Sequence, residues 1–155
     1  GYDPQTVELA RRFFNGTIEP REMKSAMRKF GGAYYYHPSL SLLVREVIVG
    51  LRMKTRPEAL IFGFSQLLKG WTVMNRLHEI TVPTLILAGR HDFQFPPEHQ
   101  RALATGIPYA HLKIIDGAGH NAHSERSNVV IEEVTRFLTT GDLDYASSGP
   151  APRRC

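Results

Sequence analysis

Two short apolar runs constrain this chain more than anything else in it: Thr84-Leu85-Ile86-Leu87-Ala88 and Leu112-Lys113-Ile114-Ile115. The first is continuous and preceded by a proline, the second is similar, and both suit parallel strands buried on both faces. Each run ends in a glycine-containing turn, Gly89-Arg90-His91-Asp92 after the first and Asp116-Gly117-Ala118-Gly119-His120 after the second. Between them, 97–105 reads as a helix opened by Pro96-Pro97 and closed by Gly106-Ile107-Pro108. Beyond them, 125–138 places Val130, Val134, Phe137 and Leu138 on one helical face. The order is β-α-β-α, the pattern of an α/β protein with a parallel sheet.

Functional residues of such sheets collect at the carboxyl ends of the strands, and Asp92 and His120 both fall there. One helix and one strand lie between them, so adjacent strands bring the two side by side. An aspartate accepting from one imidazole nitrogen fixes the tautomer and leaves the other nitrogen to take a proton from a nucleophile. The two residues are the last members of a Ser…Asp…His order. An aspartate in such a turn also serves as an N-cap or Asx-turn residue, and a histidine there is also a plain turn residue. It is their joint occurrence, in this order and spacing, that points to an acid–base pair.

Before Ile80 the pattern is helical. Asp3-Pro4 is an N-cap and first-turn pair opening a helix through Val7, Leu9, Ala10, Phe13 and Phe14 that stops at Asn15-Gly16. Pro20 opens a second, through Met23, Ala26, Met27 and Phe30 to Gly31-Gly32. Further helices are expected over 39–54 and 57–68, with a short helical turn over 71–77. From Gly141 the composition shifts to Ser, Gly, Pro and Arg, which predicts disorder over 141–155. The expected division is a helical region at 1–79, an α/β region at 80–140 and the tail.

Composition narrows the function classes. With 155 residues, 42% hydrophobic and 22% charged, the chain is an ordinary globular one. The net charge of +4 comes from scattered basic residues, two of them, Arg153 and Arg154, in the tail, so no nucleic-acid partner is expected. Val47-Ile48-Val49-Gly50-Leu51 is closed off by Arg45, Glu46 and Arg52, and no apolar stretch approaches the roughly 20 residues of a membrane span. The single cysteine, Cys155, excludes an internal disulfide and makes a cytoplasmic location the simplest expectation. No metal is expected either: His91, His99, His111, His120 and His123 are numerous, but His120-x-x-His123 comes with no cysteine or evident third ligand. Gly1 is followed by no signal-peptide pattern, and the start reads as a cut.

Residues 80–92, ending Val82-Pro83-Thr84-Leu85-Ile86-Leu87-Ala88-Gly89-Arg90-His91-Asp92, together with Gly117-Ala118-Gly119-His120, resemble the C-terminal part of the α/β-hydrolase superfamily. The resemblance covers 71–138, while the preceding helices resemble that superfamily's variable cap in position and length. It implies that Asp92 is the acid and His120 the base of a Ser-Asp-His triad, with no cofactor. Pro96-Pro97-Glu98-His99 and His120-Asn121-Ala122-His123 further resemble the proline-iminopeptidase-like branch. The Trp-Glu and Glu-Asn-His-Tyr-Phe stretches with which typical iminopeptidases grip a substrate amino terminus are not found.

The nucleophile elbow, Gly-x-Ser-x-Gly, and a His-Gly-Gly oxyanion loop are also missing; both are expected upstream of Gly1. Gly63-Phe64-Ser65-Gln66-Leu67 lacks the second glycine and sits in a helical pattern, so Ser65 reads as a helix serine. In a cap, Tyr34, Tyr35 and Tyr36 would line a substrate pocket or pack between helices, and Glu19, Glu22, Glu46 and Glu58 would bind an amine or simply face solvent. The expected whole is the C-terminal portion of an α/β-hydrolase fold, a helical cap followed by two parallel β-α units. It would complete a serine-type hydrolase of small amides or esters, with the N-terminal half of the fold as its partner and a small molecule or short peptide as substrate. An aspartate nucleophile, as in epoxide hydrolases and dehalogenases, is the alternative within the class. A non-catalytic remnant or interaction module is the alternative outside it.

Overall fold

A computed structural model of the chain describes residues 3–52 and 56–148, with side chains at all of these positions except 24, 30 and 141–148. The chain forms two compact units. One comprises Gly1–Tyr34 and Ser39–Val73; the other comprises Tyr35–Pro38 and Met74–Cys155. The division therefore falls at Val73–Met74, and four residues from within the helical stretch belong to the second unit.

The first unit is helical: α1 (Pro4–Phe14), α2 (Pro20–Gly31), α3 (Leu40–Arg52) and α4 (Pro57–Phe62). Asp3 caps α1, its carboxylate accepting from the Thr6 amide at 3.0 Å, and that bond holds its carboxyl below the usual range. The helix ends in a Schellman motif, with Gly16 N–H donating to Phe13 O at 3.0 Å and Thr17 N–H to Arg12 O at 2.9 Å. Gly16 has φ +66°, and a Cβ there would meet the backbone of Ser65 at 2.6 Å. The turn requires glycine for both reasons.

Helices α1 and α2 bury Phe13, Ile18, Met23 and Ala26 against Leu9, Ala10, Phe14, Tyr34, Ile61 and Phe64. Arg12 bridges to Glu22 with contacts of 3.2 and 2.6 Å, and the guanidinium lowers the Glu22 carboxyl. The helix expected over 57–68 is α-helical only to Phe62; Gly63–Leu67 forms a π-helical turn. The wider turn sets Phe64 against Phe13 and Phe14, at 5.3 and 5.5 Å between ring centroids. The third helix is described to Arg52, and 53–54 of its expected span lie outside the described residues. Leu42 is buried on it, whereas Val44, Val47, Ile48 and Leu51 are exposed.

The second unit holds a two-stranded parallel sheet, β1 (Thr84–Gly89) and β2 (Ala110–Ile115), paired from Thr84 opposite Ala110 to Gly89 opposite Ile115. Helix α5 (Pro97–Gly106) connects the strands, and α6 (Ala122–Glu125) and α7 (Ser127–Ser148) follow. Ile115, Ala118 and Ala122 are buried with Leu87, Val129 and Val130 packed against them. The strands are covered less than the sequence suggested: in β1 only Ala88 and Gly89 are buried, and in β2 only Ile115. Two strands and their helices offer too little apolar surface to enclose both faces.

Other boundaries differ as well, β2 beginning at Ala110 rather than Leu112. The short helical turn spans Met74–Glu79 instead of 71–77, after Gly70 takes φ +70°. The helix expected from 125 is split, because Arg126 leaves helical geometry at φ −132°, ψ 47°. Helix α7 then runs past Leu138 and Gly141 to Ser148, so the backbone of 141–148 is helical where a disordered tail was expected; 149–155 lie outside the described residues. A single helical glycine costs about 1 kcal/mol and does not stop a helix, and the next proline is Pro150.

Of the apolar stripe expected on α7, Val130 and Phe137 are half-buried, Val130 against the core and Phe137 against His111, but the stripe is not buried throughout. Val134 and Leu138 are exposed, while Glu133 is buried and forms ion pairs with Lys113 of β2 and Arg136. This pairing fastens α7 to the sheet. Glu133→Ala is expected to lower stability by about 2 kcal/mol, because the lost bonds are charge-assisted but both cations can still reach water. The exposed neighbour Glu132→Ala should change the urea midpoint little, which makes the pair of variants a direct check.

Candidate active site

The turn after β1 is bonded to the turn after β2 before any side chain takes part. Arg90 N–H donates to Ile115 O and His91 N–H to Ala118 O, both at 2.9 Å. Gly89 makes this approach possible: a Cβ there would run into the carbonyl oxygens of Ala118 and Gly119. Arg90 also pairs with Asp116 across the two turns, which draws the Asp116 carboxyl below its ordinary value.

This close approach brings Asp92 and His120 together. Asp92 Oδ2 lies 3.0 Å from His120 Nδ1, with the Asp92 side chain 6% exposed and that of His120 27%. The other carboxylate oxygen, Oδ1, accepts from the amides of Gln94 at 2.9 Å and Phe95 at 3.0 Å. Asp92 is thus the Asx-turn residue and the histidine's partner at once, one oxygen for each task. The amide bonds fix the carboxylate's rotamer, so Oδ2 faces the imidazole without a search. The Phe95 ring stands 5.7 Å from that of His120.

With Nδ1 engaged by a carboxylate, the imidazole is held in the tautomer that carries hydrogen on Nδ1, and Nε2 is the nitrogen suited to general-base work. Among the described residues, no three or more His, Cys, Asp or Glu side chains are grouped to hold an ion. His111 packs edge-on to Phe137 instead. No helix of the described residues is long and apolar enough to cross a membrane.

The tyrosine cluster is divided. Tyr34 packs against the core of the helical unit. Tyr35 and Tyr36 belong to the second unit, where the Tyr36 ring stacks on His91 at 3.5 Å and 4°. Ser65 lies in the π-helical turn, away from any strand-to-helix elbow. Sequence reasoning passed over Glu125, whose carboxylate accepts from three backbone amides: Tyr36 at 2.8 Å, His37 at 2.9 Å and Gly119 at 2.7 Å. Its one signal was position, as the only acidic residue between His120 and Glu132.

A β-α-β-α unit that brings an aspartate and then a histidine to the carboxyl ends of adjacent parallel strands is the arrangement expected of the C-terminal part of an α/β-hydrolase fold. Over residues 69–149 the chain matches the TAP-like protein family of that class, and it belongs to it. It is 49% identical over 79 residues to a proline iminopeptidase of Flavobacterium johnsoniae, a segment covering 50% of this chain and 26% of that protein. It is 29% identical over 143 residues to 2-succinyl-6-hydroxy-2,4-cyclohexadiene-1-carboxylate synthase of Citrobacter koseri, covering 89% of this chain and 54% of the synthase. An esterase from Exiguobacterium antarcticum shares the fold with a TM-score of 0.70 at 17% identity, over 90% of this chain and 50% of the esterase. The chain thus spans about half the length of the synthase and of the esterase, and its matches to other relatives cover about a quarter of theirs.

Proposed function

We propose that this chain supplies the acid and base of a serine-type α/β-hydrolase acting on small esters or amides, and that the nucleophile and oxyanion donors lie on an N-terminal half of the same fold. The Asp92–His120 bond at 3.0 Å carries the reading. In the completed enzyme His120 Nε2 takes the proton of a serine hydroxyl as its oxygen attacks the substrate carbonyl, and Asp92 steadies the imidazolium. The same proton then passes to the leaving alkoxide or amine, and an activated water releases the acyl group.

Two further observations support the division. Related structures are about twice as long, and α3 exposes Val44, Val47, Ile48 and Leu51, a continuous apolar face of the kind that marks an interface. A narrower form of the reading, cleavage of an N-terminal proline, has the 49% identity to the Flavobacterium iminopeptidase on its side; against it, the stretches gripping a substrate amino terminus are not found in these residues.

The test compares the 155-residue chain with a product that also carries the coding sequence preceding it, using aryl esters, proline p-nitroanilide and a serine-directed fluorophosphonate probe. Turnover and serine labelling are expected only for the longer product. Turnover without labelling would indicate an aspartate nucleophile, and neither would make the chain part of a non-catalytic hydrolase fold. Hydrolysis by the short chain that His120→Ala abolishes would overturn the divided-nucleophile reading.

A further inference from the structure

The segment Tyr35–Pro38 lies between two helices of the first unit in sequence yet belongs to the second unit. Two features hold it there. The Glu125 carboxylate spends one oxygen on both of its central amides, Tyr36 at 2.8 Å and His37 at 2.9 Å, and the other on the amide of Gly119 at 2.7 Å. The Tyr36 ring lies flat on His91, 3.5 Å away at 4°. Gly119 immediately precedes His120 and His91 immediately precedes Asp92, so the segment is fastened to both turns of the acid–base pair, each one residue from the reacting group.

Resting on the acid–base reading above, we propose that Glu125 is a positioning residue: its carboxylate clasps the Gly119-His120 turn to the Tyr36–His37 backbone and so holds the His120 imidazole against Asp92. A carboxylate is the side chain for this task. It is acceptor-only on both oxygens and can serve three N–H donors, which a glutamine cannot, since its amide would set donor against donor on one side. Its seat on the short helix α6, closed by the Arg126 amide bond to Ala122 O at 2.8 Å, aims it back across the turn. Helix α6 is thereby tied to the base's turn through its last residue, and the break at Arg126 serves that geometry.

The experiment measures amide hydrogen exchange and the low-field imidazole proton by NMR in the 155-residue chain, for the unaltered protein, Glu125→Ala, Glu125→Gln and Asp92→Asn. Glu125→Ala is expected to speed exchange at Tyr36, His37 and Gly119 at least tenfold, with β1, β2 and α7 unchanged, and to broaden away the imidazole proton. Glu125→Gln, of the same size, should release one side of the clasp and keep the other. Unchanged exchange at these three amides in both variants would overturn the proposal. So would a uniform rise across the sheet and α7, because that is the signature of a general stability role. Asp92→Asn tests the reading beneath it: if the imidazole proton is absent in the unaltered protein or survives in Asp92→Asn, the acid–base pairing fails, while the three amides still report on Glu125. In the completed enzyme, Glu125→Ala should lower kcat roughly 10- to 100-fold with KM little changed, as expected when a supporting partner of a functional side chain is removed.

Discussion

His120→Ala in the completed hydrolase is expected to lower kcat by about 10⁴-fold or more, and Asp92→Asn by roughly the same factor, with the fold intact in both. The asparagine case is the more informative. Asp92 Oδ1 accepts from the Gln94 and Phe95 amides, so an asparagine keeps its oxygen on that side and turns its amide NH₂ toward His120. Nδ1 must then accept, which moves the ring hydrogen to Nε2, and that nitrogen can no longer take a proton from a serine. Geometry is conserved while the tautomer is reversed. Steady-state kinetics beside a urea midpoint separates this outcome from simple unfolding, and an Asp92→Asn enzyme retaining a tenth of its activity would rule out the assigned role.

Gly89→Ala is expected to lower the stability of the chain by about 3 kcal/mol or more, the upper range for overpacking a close contact. The added methyl meets the carbonyl oxygens of Ala118 and Gly119. These are backbone atoms that no rotamer change can move. Relief therefore requires the turn after β2 to withdraw from the turn after β1, which stretches the His91 amide bond to Ala118 O and with it the Asp92–His120 contact. Gly50→Ala is the matched control. It lies within α3, where an added methyl would meet nothing within 4 Å, so the same change there should raise stability by up to about 1 kcal/mol through helix propensity. Urea denaturation of both variants checks the opposite signs.

The contrast between these glycines shows what a sequence can carry. Gly89 opens the turn after an apolar run and Gly50 lies within an expected helix, Ala88-Gly89-Arg90 and Val49-Gly50-Leu51, but neither local pattern says whether an added methyl has room. One is needed because a distant loop rides on it and the other is open. In the same way, the helical periodicity of α7 points to Val130, Val134, Phe137 and Leu138 as one face; Val130 and Phe137 do pack inward, but Val134 and Leu138 are exposed and the buried position is Glu133, ion-paired to Lys113.

The elements and their order were legible from local physics. Proline and aspartate at helix starts, glycine at helix ends and continuous β-branched runs encode α1, α2, β1, α5 and β2, because caps, fixed φ angles and side-chain crowding act within a few residues. The identity of Asp92 and His120 as strand-end residues was legible for the same reason. Their 3.0 Å contact, the seat of Glu125 on amides 88 and 89 residues away in sequence as well as on Gly119, and the stacking of Tyr36 on His91 were decided only by the tertiary structure. Those interactions join turns and loops whose approach is set by backbone packing between segments far apart in the chain, and no short-range propensity records it.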